Sequence, residues 1–331
     1  MSTNELIKKL FIAFSKKDES EFYKYAEELI ELEKRKKHNI LAKELKEALY
    51  SNINGQAKKE RRFRTNKPIP RDNDTGFPLL EIKQYDELDW EHLILPEKTK
   101  NELEQLIKGY RSYEILATYN LRPKTKVLFC GLPGTGKTFS AKVISCVLGL
   151  PLVLVNFDAI ISSYLGETAS NLRKVFDFIK DDFWVVLFDE FDIIGKNRDD
   201  PHETGEIKRV VNNFLMMLDN FEGESLIIAS TNHPHILDPA IWRRFDEVVN
   251  FPLPEAEQRE ELLNLFLKPI KKDDINYKMV VKETDNFSPS DLKLMCKDAM
   301  LHAILDGRDA LTNNDLIYSI NKYKERLELR N

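Results

Sequence analysis

The segment that most constrains the fold of this chain runs from Gly131 to Thr138 and reads Gly-Leu-Pro-Gly-Thr-Gly-Lys-Thr. It follows the short apolar run 127–130 and satisfies the pattern G-x-x-x-x-G-K-[ST] at every position. A strand that breaks into a glycine-rich turn and continues as a helix directs several backbone N–H groups to one point, where the phosphates of a nucleotide can bind. Lys137 adds a cation for the β- and γ-phosphates, and the Thr138 hydroxyl can bind Mg²⁺.

A second motif lies further along the chain, where the apolar run 184–188 ends in Asp189 and Glu190. Two carboxylates at the carboxyl end of a buried strand are costly to keep without a cation and useful beside Mg–ATP. On its own, the first motif could be a turn that merely joins a strand to a helix. The two motifs together predict a nucleotide hydrolase that uses ATP and Mg²⁺.

Composition limits the other function classes. The chain has 331 residues, of which 42% are apolar and 32% charged, and its net charge of −5 argues against nucleic-acid binding by bulk charge. Its cysteines, Cys130, Cys146 and Cys296, lie in apolar segments and indicate reduced thiols rather than a disulfide framework. No apolar run is long enough to span a membrane and no signal peptide is evident, so we expect a cytoplasmic protein without membrane contact.

The pattern of apolar segments predicts an α/β fold, which the motif at Gly131–Thr138 makes one of the P-loop NTPase type. Nearly continuous apolar runs at 127–130, 152–155, 184–188, 226–230 and 248–251 alternate with amphipathic helices. This arrangement predicts a parallel five-stranded sheet with helices on both faces, spanning residues 79–254. Ligands of such sheets bind at the carboxyl ends of the strands, where both motifs fall. Residues 255–331 have helical periodicity throughout and predict an all-helical lid, in which Ser288 and Thr312 begin helices.

The region before the sheet has two parts. Residues 1–50 carry three apolar stripes at helical spacing and predict a small helical unit that binds a partner or client. Residues 51–78 are basic, with proline and glycine but little periodicity. A mobile linker is the favoured interpretation of this segment, and a docking strip for an acidic partner or nucleic acid is the alternative.

Three more segments follow in a fixed order. The fourth predicted strand ends in Ser230-Thr231-Asn232. Two adjacent arginines follow in the segment 237–246, and a lid helix begins in the segment 287–292. With these the chain resembles the AAA family of P-loop ATPases, in the branch of FtsH-like, proteasomal and severing enzymes, from about residue 85 to its end. The resemblance implies a ring, usually a hexamer.

The resemblance also implies roles for individual residues. Lys137, Glu190, Asn232, Arg243 and Arg244 would be catalytic: Glu190 would polarise the attacking water, Asn232 would be sensor 1, and the arginines would be fingers that enter the neighbouring subunit's site. Thr138 and Asp189 would hold Mg²⁺. The residues placed against the nucleotide are Gly131, Leu132, Pro133, Gly134, Thr135, Gly136, Lys137, Thr138, Phe139, Asp189 and Ser290.

The chain departs from the family pattern at two places. Pro289-Ser290 stands where the family usually has Gly-Ala, and the Pro-Gly between the two fingers is missing, so Arg243 and Arg244 are adjacent. Adjacent arginines cannot both occupy the usual finger positions without a backbone shift. The sequence leaves open which of the two arginines acts as the finger.

Tyr164-Leu165-Gly166 matches the family's first pore loop, in which an aromatic side chain grips an extended polypeptide. The alternative is a core tyrosine at the end of a loop. Residues 195–205 are either a second pore loop or an ordinary surface loop. His233 and His235 lack further ligands at suitable spacing and are expected to be structural or solvent-facing, and no H-E-x-x-H zinc-protease motif is present.

These observations predict an ATP-hydrolysing ring motor that remodels, unfolds or threads protein clients, together with a separate partner such as a protease. A nucleotide-gated switch that regulates a partner enzyme is one alternative. A nucleic-acid-associated ATPase that uses the basic linker is the other, and only residues 58–71 favour it.

Overall fold

The computed structural model describes residues 3–15, 19–35, 67–161, 165–194 and 204–328. The chain divides into two compact units, residues 1–66 and 67–331. In the first unit, helices α1 (Thr3–Ser15) and α2 (Glu19–Arg35) pack against each other. Their buried apolar side chains are Leu6, Ala13, Ala26, Leu29 and Ile30. The third helix expected in this unit, at Leu41, Leu45 and Leu49, lies outside the described residues.

The second unit is built on a mixed six-stranded sheet. Its strands are β1 (Leu80–Lys83), β2 (Lys126–Gly131), β3 (Leu152–Val155), β4 (Val185–Phe188), β5 (Leu226–Thr231) and β6 (Glu247–Phe251), in the order β1-β3-β4-β5-β2-β6. The five predicted strands, β2 to β6, are present and parallel. The prediction of a five-stranded sheet missed β1, which pairs antiparallel with β3 at the edge. Its sequence, Leu-Glu-Ile-Lys, alternates apolar and charged residues because only one face of this edge strand is covered.

Helices cover both faces of the sheet, because successive strand side chains point to opposite sides. Val127 and Phe129 pack in one apolar cluster, whereas Leu128 and Cys130 pack in the other. The helices of this domain are α3 (Glu97–Arg111), α4 (Tyr113–Thr118), α5 (Lys137–Leu148), α6 (Phe157–Ile161), α7 (Leu165–Lys180), α8 (Thr204–Asp219) and α9 (Pro239–Trp242). Short 3₁₀ turns span Trp90–His92, Phe191–Ile194 and Pro234–Ile236. Two layers of buried apolar side chains, one on each face of the sheet, therefore hold the carboxyl ends of the strands in place.

The C-terminal part of the second unit is a helical lid with its own core. Its helices are α10 (Ala256–Phe266), α11 (Tyr277–Glu283), α12 (Pro289–Leu305) and α13 (Asn313–Glu328). The predicted start of α12 is confirmed, since the Ser288 hydroxyl accepts a hydrogen bond from the Asp291 N–H at 3.2 Å. The expectation of an all-helical lid needs one correction. A parallel pair of two-residue strands, β7 (Lys271–Lys272) and β8 (Ala310–Leu311), joins two loops and is too short to leave a sequence pattern.

The last part of the segment expected to be a linker, residues 67–78, packs against the α/β domain. Lys67 forms an ion pair with Asp181 at 2.8 Å, and the Asn171 side-chain amide donates to the buried Asp72 carboxylate at 2.6 Å. These contacts are polar, so they leave no apolar periodicity in the sequence. The structure thus places residues 67–78 with the α/β domain. Among the described helices, none is both long and apolar enough to cross a membrane.

Candidate nucleotide site

The phosphate loop joins β2 to α5 and depends on three glycines. Gly134 and Gly136 have φ angles of 78° and 102°, which disfavour a side chain, and Gly136 caps the amino end of α5. Gly131 lies so close to β6 that an added Cβ would be 2.3 Å from the Phe251 carbonyl oxygen. The buried Thr135 hydroxyl donates to the Leu132 carbonyl at 2.8 Å and holds the turn together. The result is a fixed loop at a helix amino terminus, a place suited to bind an anion.

Lys137 is the first residue of α5 and is almost fully buried, at 5% exposure. Its ammonium group donates hydrogen bonds to the carbonyl oxygens of Gly131 and Leu132, both at 2.8 Å. Burial lowers the pKa of Lys137, an effect that the nearby carboxylates of Asp189 and Asp192 partly offset. The positively charged Lys137 side chain thus lies against the loop. Its partners are neutral carbonyl oxygens, which phosphate oxygens could replace.

Asp189 and Thr138 meet where β4 ends and α5 begins. The Thr138 hydroxyl donates to Asp189 Oδ2 at 2.7 Å, and the Ser230 hydroxyl donates to Asp189 Oδ1. A carboxylate and a hydroxyl are hard oxygen donors of the kind that Mg²⁺ prefers, and Mg²⁺ is usually bound through one or two carboxylates together with substrate phosphates. Their position beside the phosphate loop fits a magnesium–nucleotide complex.

Glu190 has an unusual backbone conformation. Its φ angle is +53°, which is uncommon for a residue other than glycine, and its N–H donates to Asp189 Oδ1 at 3.1 Å. The side chain is exposed, unlike the four residues of β4, which are all buried. Unusual backbone conformations of this kind cluster at functional sites. The turn leaves the Glu190 carboxylate exposed next to Asp189.

Asn232 follows β5 and is held by a residue that the sequence did not single out. Its backbone N–H donates to Asp192 Oδ1 at 3.3 Å, and Asp192 is 1% exposed. His233 Nε2 lies 3.8 Å from Asp192 Oδ2, so Asp192 faces both residues. The position of Asp192, three residues after Asp189 in a 3₁₀ turn, is the signal that could have identified it.

The two histidines after Asn232 do not form a metal site with other described residues. The His233 and His235 rings make an edge-to-face contact at 5.8 Å. In the described part of the chain, the single cluster with metal-ligand types is His302, Asp306 and Asp315, in the lid. Arg308 already donates both of its terminal nitrogens to Asp315, which makes this cluster an ion-pair network.

The lid touches the phosphate loop directly. The Ser290 N–H donates to the Gly134 carbonyl at 3.2 Å. A Cβ added to Gly134 would lie 2.7 Å from Ser288 Oγ and 2.9 Å from Ser290 Cβ. The first turn of α12 therefore adjoins the loop, and Ser290 lies beside Gly134.

The two adjacent arginines lie before the amino end of β6, whereas the phosphate loop lies at the carboxyl ends of the strands. Gly131 pairs with Phe251 at the carboxyl end of β6, and Arg244 lies before Glu247, the first residue of that strand. Glu247 and Phe251 are four residue steps apart on the strand, a distance of about 13 Å. The arginines are thus too distant to serve the phosphate loop of their own subunit.

Arg243 and Arg244 have different surroundings. Arg244 Nε donates to Asp219 Oδ2 at 2.9 Å. Arg243 is exposed and, within the described residues, its side chain makes no hydrogen bond or ion pair. Tyr164 and residues 195–203 lie outside the described residues, and Leu165 begins α7.

Comparison with known proteins gives one consistent family. The model of the ATPase family associated with various cellular activities (AAA) matches residues 127–253, and that of the AAA+ lid domain matches residues 274–317. The uncharacterized AAA family ATPase y4kL of Sinorhizobium fredii is 34% identical over 321 residues, which cover 95% of this chain and 93% of that protein.

A named relative and a solved structure agree with this. The proteasome-activating nucleotidase of Saccharolobus solfataricus is 34% identical over 263 residues, which cover 77% of this chain and 67% of the relative. The crystal structure of the FIGL-1 AAA domain matches with a TM-score of 0.61 at 23% identity, covering 72% of this chain and 85% of that one. This last likeness supports the fold.

Proposed function

Because the chain belongs to the AAA family of ATPases and hydrolyses ATP, we propose that it is a ring motor that spends ATP on remodelling, unfolding or threading protein clients. The observation that carries the proposal is Arg243, which is exposed, has no hydrogen-bond or ion-pair partner among the described residues, and lies before the amino end of β6, away from the nucleotide site at the carboxyl ends of the strands. An arginine placed there suits the site of a neighbouring subunit. The 34% identity to a proteasome-activating nucleotidase supports work with a protein partner, since that relative is named for activating a proteasome.

Within one subunit, Lys137 exchanges its two carbonyl partners for the β- and γ-phosphates. Asp189 and Thr138 would hold Mg²⁺, which would neutralise charge on the phosphates. Glu190, exposed and turned away from β4, orients and polarises the attacking water. Asn232, anchored by its backbone to Asp192, presents its amide to the γ-phosphate.

Between subunits, we assign the acting finger to Arg243. A finger must reach across an interface. Among the described residues the Arg243 side chain has no hydrogen-bond or ion-pair partner, whereas Arg244 is held by Asp219. An arginine finger stabilises charge on the transferring phosphoryl group and contributes about 10³–10⁵ in rate. Turnover should therefore require a closed ring, and the family resemblance favours a hexamer.

The first experiment tests the finger. Replacing Arg243 by Ala should lower turnover by about 10³-fold or more, leave ATP binding intact and make the residual ATPase rate independent of protein concentration. Arg244→Ala is the matched control and should retain more activity, since it removes an exposed ion pair of small value. Mixing Arg243→Ala with Lys137→Ala should restore activity at interfaces that combine an intact loop with an intact finger. Full activity of a dilute monomer would refute the arrangement between subunits.

The second experiment separates a motor from a nucleotide-gated switch. We propose that Tyr164 and Leu165 grip the client in a central pore. Tyr164→Ala should then keep its basal ATPase rate and melting temperature but lose client-stimulated turnover. If remodelling and stability both stay intact, the chain is a switch that regulates a partner enzyme.

The partner itself is best sought with Glu190→Gln, which should bind ATP without hydrolysing it and so trap complexes. We propose a cytoplasmic protein partner such as a protease, and proteins should co-purify with the trapped ring. Recovery of nucleic acid instead would favour the alternative in which the basic segment 51–78 binds nucleic acid.

A further inference from the structure

Ser230 occupies a central place in the sheet. It lies on β5, pairs with Phe129 of β2 and follows Ala229, which pairs with Phe188 at the end of β4. The residue is 1% exposed. Ser230 therefore lies on the strand between β2, which leads into the phosphate loop, and β4, which is followed by Asp189.

The Ser230 hydroxyl completes the set of donors around Asp189. Oδ1 of that carboxylate accepts from the Ser230 hydroxyl and from the Glu190 N–H, while Oδ2 accepts from the Thr138 hydroxyl. The Glu190 donor is the backbone of the next residue, so it constrains the carboxylate less than a donor on a separate strand does. Ser230 supplies that separate donor.

We propose that Ser230 is a positioning residue for the magnesium–nucleotide complex: by fixing Oδ1 of Asp189, it keeps Oδ2 turned toward Thr138 and the phosphate loop. The inference rests on the proposed role of Asp189 and Thr138 in holding Mg²⁺. Preorganised ligands bind more tightly because their orientation is fixed before the ion arrives, and partners that orient metal ligands commonly contribute 10–100-fold to affinity.

The experiment measures how strongly Mg²⁺ and nucleotide reinforce each other. The affinity of a fluorescent ADP analogue is measured with Mg²⁺ and with EDTA, and the ratio of the two affinities is the magnesium enhancement. For Ser230→Ala we expect this enhancement to fall about tenfold and the half-saturating Mg²⁺ concentration to rise. The affinity in EDTA should stay within about twofold of the wild type, since Lys137 and the loop are untouched.

Two further variants serve as controls. Ser230→Thr keeps the hydroxyl and should restore the enhancement; if its extra methyl group lowers the melting temperature strongly, Ser230→Cys, a weaker donor, should give an intermediate value. Ser225→Ala removes another buried hydroxyl, just before β5, which donates to the Ile179 and Asp182 carbonyls. It should lower the melting temperature and leave the magnesium enhancement unchanged.

The outcomes distinguish the inference from its premise. If the wild type shows no magnesium enhancement, the proposed magnesium role of Asp189 and Thr138 fails. If the wild type shows it and Ser230→Ala retains it, the positioning role of Ser230 is overturned. A loss of affinity in EDTA equal to the loss in Mg²⁺ would also overturn it, because a general structural defect affects both.

Discussion

Replacing Gly131 by Ala tests how closely the phosphate loop approaches the neighbouring strand. The added Cβ would lie 2.3 Å from the Phe251 carbonyl oxygen, whereas carbon and oxygen atoms in close contact are about 3.3 Å apart. The two strands would have to separate by about 1 Å. Phe251 cannot move freely, since it is fully buried and its ring centroid lies 4.8 Å from that of Phe129.

The cost follows from this geometry. Overpacking typically destabilises by about 1–3 kcal/mol, and the upper end applies because the obstructing atom belongs to the backbone. At about 2–4 °C per kcal/mol for a large domain, the melting temperature should fall by roughly 5–10 °C. The loop also shifts relative to Asp189, and a misplacement of about 1 Å can reduce turnover by up to 10²-fold.

Gly109→Ala is the matched control. No atom lies within 4 Å of a Cβ built on Gly109, which is in α3, and alanine is favoured over glycine in a helix by about 1 kcal/mol. This variant should melt a few degrees higher than the wild type and keep its ATPase rate. If Gly131→Ala had the melting temperature and the ATPase rate of the wild type, the expected separation of the two strands would be wrong.

Three more predictions concern other buried groups. Asp192→Ala should reduce turnover at least about tenfold at unchanged ATP affinity, because Asn232 loses its anchor. Asp315→Asn should destabilise the lid by about 2–3 kcal/mol in denaturant titrations, since it disrupts a buried carboxylate network. Arg308 holds the pKa of Asp315 well below its usual range, so this contribution is present above about pH 4 and is lost as the pH falls further; the difference between variant and wild type should shrink in acid. The thiol of Cys130, whose pKa burial raises to about 11, should resist alkylation at about pH 8 until the protein is unfolded.

Sequence patterns predicted those parts of the fold that have a strong physical signature. Strands buried on both faces appear as continuous apolar runs, so β2 to β6 could be located from the sequence. The start of α12 was predictable because Ser288 and Pro289 satisfy a local capping rule. The edge strand β1 and the short pair β7 and β8 were missed, since neither has two buried faces.

The site shows the same division. The phosphate loop and Asp189 lie in contiguous sequence motifs, whereas Asp192 and Ser230 lie at the site through hydrogen bonds between separate elements. No local pattern reveals that a serine on one strand donates to a carboxylate on the next. Our proposal that Arg243 rather than Arg244 is the finger likewise depends on Asp219, a partner of Arg244 that is distant in sequence.

The final prediction concerns the charge of Lys137, through Lys137→Met. This variant removes a buried ammonium group and leaves the Gly131 and Leu132 carbonyls without that donor, two effects that oppose each other. Without nucleotide we therefore expect its stability to lie within about 1 kcal/mol of the wild type at neutral pH. Addition of ATP at about 100 times its dissociation constant should stabilise the wild type by about 2.7 kcal/mol and the variant not at all.

The pH dependence tests the burial itself. Burial lowers the pKa of Lys137 in the folded protein, while in the unfolded chain it is about 10.4. Between these two values the unfolded chain binds more protons, so the stability of the wild type should rise with pH relative to Lys137→Met. Melts of both proteins between about pH 7 and 10 measure this difference, and Lys142→Met, which removes a lysine of the same helix that contacts Tyr85, is the control. If the stability of the wild type and of Lys137→Met changed with pH in parallel, the ammonium group would be hydrated. The burial of Lys137 against the loop carbonyls would then be wrong.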